Sequence, residues 1–205
     1  MKAFYFNTEK RTLAYGDWRK IVVGKMHTVK GTPECCKHGL HASLDVLDAL
    51  GYASGNILYL VDVTRNIDKR EDKICGGRRK YLAEFDATEL LKEFARKQAL
   101  INIHKIKPYC SASDYEAVLS YLSTGCESLR SAAYSAAYSA ADSAVGSAAC
   151  AAARSAAYSA AYSAAYSAAD SAALSAARSA AYSAARSAAN TMLTDMLRDA
   201  TGWDI

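Results

Sequence analysis

The sequence predicts an α+β protein. A small N-terminal mixed α/β domain should be followed by a long Ala/Ser-rich α-helical repeat, built as one long helix or a helical hairpin. Three observations lead there. β-prone runs culminate in the apolar segment Asn56–Val63, amphipathic stretches with capping signals follow them, and a Ser-Ala-Ala-X tetrad then repeats from residue 127 to 190. The expected organisation is a domain over 1–107, a linker with a short helix over 108–126, a repeat over 127–198 and a tail over 199–205.

In the front domain, Lys2–Phe6 is a compact β-prone start, and Lys20–Val29 is a second β-rich run around Gly24. Gly16 and Asp17 mark a turn between them, and Gly31-Thr-Pro33 marks a loop. Gly39–Ser43 reads as a short strand. Leu44, Val46, Leu47, Leu50 and Ala53 then share one helical face, with Ser43 placed to cap it. Asn56–Val63 is apolar on both faces at its centre, which predicts a central strand. A charged loop over 65–72 precedes a strand over Arg79–Phe85. Asp86 and Glu89 have capping-box spacing, and Leu90, Leu91, Phe94, Ala95 and Ile101 continue as a helical face that Pro108 ends. Ser113 and Glu116 repeat that spacing for a short helix that Gly125 can terminate.

The tetrad is a geometric statement. Ala is the best helix former and no proline follows Pro108, so helix is the expectation across the repeat. Stacked strands are the alternative, since four is a multiple of two, but the composition and lack of turn residues argue against them. Four residues turn an α-helix by about 400°, so the variable position drifts about 40° per unit. That position holds six tyrosines (Tyr134, Tyr138, Tyr158, Tyr162, Tyr166 and Tyr182) together with Leu174. Such a stripe on an Ala/Ser rod has little to pack against, while small residues let another helix approach closely. Either the helix breaks at Gly146 into a packed pair, or copies of the chain associate through 127–198 using those seven side chains. Met192, Leu193, Met196 and Leu197 then give an ordinary amphipathic end to the array.

Charge and cysteine usage exclude several classes. The net charge of +4 divides into +5 over residues 1–126 and −1 over 127–205, too weak a bias to expect nucleic acid as partner. Six cysteines form no CxxC pair, and the first residues lack the apolar core of a secretion signal. Reduced thiols in a cytoplasm are the expectation, with no membrane span.

Few constellations suggest chemistry. Cys35-Cys36-Lys-His38-Gly-Leu-His41 has zinc-ligand residue types, but no second Cys/His pair follows at a zinc-site distance, so no metal or cofactor is expected. Lys73, Gly76, Gly77, Arg78, Arg79 and Lys80 form a basic Gly-Gly turn, either simply solvated or a phosphate contact through Lys73, Arg78 and Arg79, without matching a P-loop.

Cys36-Lys-His-Gly-Leu-His-Ala-Ser43, the segment Asp45–Tyr52, the strand Leu58–Val63 and Asp72-Lys-Ile74 resemble a group of uncharacterised domains encoded in bacteriophages and prophages, over roughly residues 20–100. Repetitive C-terminal regions also follow some of those domains. A more distant likeness links the strand–helix–strand order to ADP-ribosyltransferase-like folds. That resemblance implies His41 or His38 at a nicotinamide nucleotide, Tyr52 stacked on it, and Glu84 in the catalytic carboxylate position. The leading expectation is a non-enzymatic structural or interaction protein that self-associates through its array and presents the N-terminal domain to a protein partner. The alternative is a nucleotide-binding protein or an ADP-ribosyltransferase-like enzyme.

Overall fold

The computed structural model describes residues 1–13, 17–143 and 182–205. They form two compact units, one of Met1–Thr88 with Leu193–Ile205 and the other of Glu89–Met192. The sequence had placed the end of the first domain at residue 107 and a linker at 108–126.

The first unit holds a four-stranded antiparallel sheet, in spatial order β1 (Lys2–Asn7), β4 (Ile57–Thr64), β7 (Arg78–Asp86) and β2 (Met26–Thr28). β4 is the central strand its composition predicts: Leu58 and Leu60 are buried on one face, Tyr59, Val61 and Val63 on the other. A register shift between Leu60 and Val61 places Ala83 and Tyr81 opposite them, leaving Leu82 as the extra residue of a bulge in β7. A second sheet orders β3 (Leu40–Ala42), β6 (Ile74–Gly76) and β5 (Asp68–Lys69). Leu40, Ala42 and Ile74 share a core with Tyr59, Val61 and Val63. Gly76 permits that approach, because a Cβ there would lie 2.6 Å from Val63 Cγ1 and 2.8 Å from the Thr64 carbonyl oxygen.

Several sequence expectations for this unit are corrected. The run Lys20–Val29 is a strand only over Met26–Thr28, because Gly24 at φ 87° turns the chain and Lys25 N–H closes on the Val22 carbonyl at 3.0 Å. Val22 and Val23 are consequently exposed. Ser43 caps no helix. It is buried, its backbone exchanges hydrogen bonds with Phe4, and Asp45 occupies the N-cap of α1 (Val46–Gly51). The loop expected over 65–72 contains β5, and the Gly-Gly turn runs directly from β6 into β7.

The second unit contains α2 (Thr88–Asn102), 3-10 turns at Ile103–Lys105 and Lys107–Tyr109, α3 (Ala112–Thr124), a further turn at Glu127–Leu129 and α4 (Arg130–Ser143). Asp86 caps α2 by accepting from the Thr88 amide and hydroxyl at 3.0 and 2.6 Å, while Glu89 pairs with Lys92 instead of reaching back. Ala99 is buried where Ile101 was expected to be, and Ile101 is exposed. The cap of α3 is Ser111, whose Oγ accepts from Asp114 N–H at 3.1 Å, and not Ser113. Gly125 ends α3 in the left-handed conformation at φ 68°, as its position predicts.

Ala133, Ala136, Ala137 and Ala140 of α4 are buried with Val118, Tyr121 and Leu122 of α3. The last described helix is α5 (Tyr182–Thr201), whose residues from Leu193 onward belong to the first unit. There Leu193 and Leu197 are buried and Trp203 meets Phe85 edge-on at 6.4 Å. Gly146 and the rest of 144–181 lie outside the described residues, so the long helix or hairpin expected there does too. Among the described residues no helix is long and apolar enough to cross a membrane.

Candidate functional site

Directly opposed residues of an antiparallel pair put their side chains on the same face. In the small sheet His41 of β3 is opposite Cys75 of β6, and Cys75 is opposite Asp68 of β5. These three therefore make one row across three strands, on the face turned away from Leu40, Ala42 and Ile74. The turn over 31–39 covers the row and brings Cys35 onto it. Cys35 N–H donates to Asp68 Oδ2 at 2.8 Å, and its Sγ lies 3.5 Å from the Asp68 carbonyl oxygen. Gly39, at φ 132°, makes this cover possible, since a Cβ there would meet Cys75 Sγ and Pro33 Cβ at 3.2 Å each.

The result is a cluster in which ligand atoms of Cys35, His41 and Cys75 all lie within 4.8 Å of one another. Both thiols are buried and His41 is half-buried. Burial pushes the Cys35 thiol up, and burial followed by the neighbouring Cys35 pushes Cys75 up to about 12. Burial, then the Arg79 guanidinium, lowers His41. His41 Nε2 accepts from Cys36 N–H at 3.0 Å, so that nitrogen is unprotonated in this arrangement. Asp68, held below the usual carboxylate range chiefly by the Cys35 amide, anchors the turn.

A second polar group is buried between the sheets. Arg79 is only 2% exposed, stacks on Tyr5 with its guanidinium carbon 3.7 Å from the ring centroid, and donates from Nη1 to the His41 carbonyl oxygen. Its Nε and Nη2 both donate to Tyr81 Oη, at 3.1 and 2.8 Å. With both hydroxyl lone pairs so used, the Tyr81 proton points to His27 Nδ1 at 3.2 Å. His27 is then a neutral imidazole whose buried Nε2 has no partner among the described residues.

The residues singled out in the sequence fall into separate settings. His41 joins the thiol cluster. Tyr52 is exposed, donates its hydroxyl proton to Asp72 and accepts from Lys73 Nζ at 2.9 Å, an ammonium whose pKa is raised first by that bond to Tyr52. Glu84 pairs with Arg11 at 2.8 Å. Arg78 and Lys80 are exposed while Arg79 between them is buried, so the basic run alternates across a strand. His38 Nε2 bonds the Lys30 carbonyl oxygen. Within α4, Tyr134 and Tyr138 are 41% and 55% exposed and stack at 6.4 Å. Tyr158, Tyr162, Tyr166, Leu174 and the Tyr182 side chain lie outside the described residues.

Cys75 is the participant that sequence reasoning missed. It was absent from the motif because it lies on a three-residue strand, too short to show a period.

No curated protein and no solved structure matches the chain. One family model does match, over residues 1–93, and its description is a domain of unknown function, DUF7666. The N-terminal sheets, the thiol cluster and the Arg79 network all fall inside that match.

Proposed function

We propose that this chain is a non-enzymatic interaction protein that self-associates through its Ser-Ala-Ala-X array and offers the N-terminal domain to a partner. One observation supports it above the rest. α4 turns its alanines inward against α3 and leaves Tyr134 and Tyr138 stacked on the outside. Aromatic rings on a helix surface bring large contact area with two rotatable bonds each, which suits an interface. The tetrad continues through the sequence with Tyr158, Tyr162, Tyr166 and Tyr182 at its variable position, so the sequence supplies further tyrosines at the same spacing. The resemblance to phage-encoded domains fits such assembly in a virion or an infected bacterial cell.

Sedimentation velocity of the full chain, beside a variant carrying Tyr134→Ser and Tyr138→Ser, tests this. Both side chains are exposed, so the variant keeps its helical content. The expected result is a concentration-dependent oligomer whose dissociation constant rises at least tenfold in the variant. A full-length protein that stays monomeric at high micromolar concentration sinks the proposal.

A further inference from the structure

The geometry points to a binding site for a thiophilic divalent cation of the Zn²⁺ class, held by Cys35 Sγ, Cys75 Sγ and His41 Nε2 with water in the fourth position. In a tetrahedral zinc site with bonds of about 2.3 Å to sulfur and 2.0–2.1 Å to nitrogen, neighbouring donors stand about 3.5–3.8 Å apart. The ligand atoms these three residues offer are within 4.8 Å of one another, so a contraction of about 1.3 Å or less brings them to that geometry. Three features separate this cluster from cysteines packed as small apolar side chains. His41 and Cys75 are fixed opposite each other by strand register. Cys35 is delivered by a turn that Asp68 anchors and that Gly39 allows to lie against Cys75. His41 already presents an unprotonated Nε2, the form a cation requires.

Binding follows a simple proton balance. Each thiol releases one proton to solvent, the two thiolates cancel the charge of the cation, and His41 Nε2 exchanges its bond from Cys36 N–H for the metal. The cation competes with protons for the two sulfurs and the imidazole nitrogen, so uptake weakens as pH falls. His41 is the half-buried member, while both thiols are buried. The inference stands apart from the self-association reading, because the array contributes no ligand.

Titrating the reduced, metal-stripped full chain with Co²⁺ tests it. The expected result is one equivalent bound, with near-ultraviolet thiolate-to-cobalt absorption, tetrahedral visible bands, displacement by Zn²⁺ and about two protons released per cation. Cys75→Ser and His41→Ala each lower the affinity at least tenfold, while Cys126→Ser, an exposed thiol outside the cluster, leaves it unchanged. Circular dichroism checks each variant; if one unfolds, the wild-type spectrum and proton count decide. An octahedral spectrum without thiolate absorption overturns the inference. So does tetrahedral binding that survives Cys75→Ser or is lost in Cys126→Ser.

Discussion

The two described cores solve burial in opposite ways. Between the sheets of the first unit, large side chains fill the space and part of it is polar: Tyr59, Tyr81, His27 and Arg79 are all buried there. In the second unit α4 presents only alanines to α3, whose Val118, Tyr121 and Leu122 fill the space against them. The first core depends on specific partners for its polar atoms. The second depends on nothing being larger than a methyl group at four positions. Each is therefore sensitive to a different kind of change.

Tyr81→Ala breaks the first core most severely. The ring packs edge-on against both His27 and Tyr59, with centroids at 5.3 and 5.4 Å, and the hydroxyl is the acceptor for two Arg79 donors. Removal leaves a cavity and a buried guanidinium that has lost two of its bonds. The expected cost is about 4 kcal/mol, read by denaturant unfolding. A loss below about 1 kcal/mol means the network is not a determinant of this core.

The alanine core responds to addition. Ala137→Leu places three further carbons where α4 lies against α3, and a loss of about 2 kcal/mol is expected in thermal or denaturant unfolding. Ala132→Leu, on the exposed side of the same helix, should change stability by about 0.5 kcal/mol or less. Equal effects at both positions erase the distinction between the two faces of α4.

How much of this contrast was legible in the sequence depended on segment length. β4 was legible because an eight-residue strand apolar on both faces leaves few other placements. The end of α3 was legible because Gly125 sits where a left-handed residue is needed. The cation site was not, since its row of side chains joins strands of two and three residues whose pairing is set by tertiary contact. Arg79 was hidden for another reason. Two glycines and three basic residues read as a solvated turn, although the alternation Arg78 out, Arg79 in, Lys80 out, Tyr81 in continues the strand that was recognised. Extending the period backward from Tyr81 would have placed it.

The polar part of the first core also predicts a pH response that the alanine core lacks. Burial, then Arg19, Lys25 and Arg79, lowers His27, with Asp17 opposing weakly. The folded pKa is thus below the unfolded value of about 6.5, and below that pH the unfolded chain binds the proton more readily. This contribution is complete above about pH 6.5 and is lost as pH falls toward the folded pKa, with a slope of at most about 1.4 kcal/mol per pH unit. His27→Phe should flatten that part of the stability profile. An unchanged slope in the variant assigns the effect to other groups.

The smallest expected effect concerns the start of α3, where sequence and structure name different caps. Ser111 has extended backbone and its Oγ accepts the Asp114 amide, which is one of the donors a helix start leaves unpaired. Ser113 lies inside the first turn and contacts Ser111 Oγ at 2.9 Å. Its capping-box partner Glu116 therefore has no cap to reach back to. Ser111→Ala should cost about 1 kcal/mol, because the Asp114 amide loses its acceptor, whereas Ser113→Ala should cost a few tenths. The reverse order in paired unfolding curves would move the helix start two residues along the chain, and with it the assignment of Ser113 that its spacing first suggested.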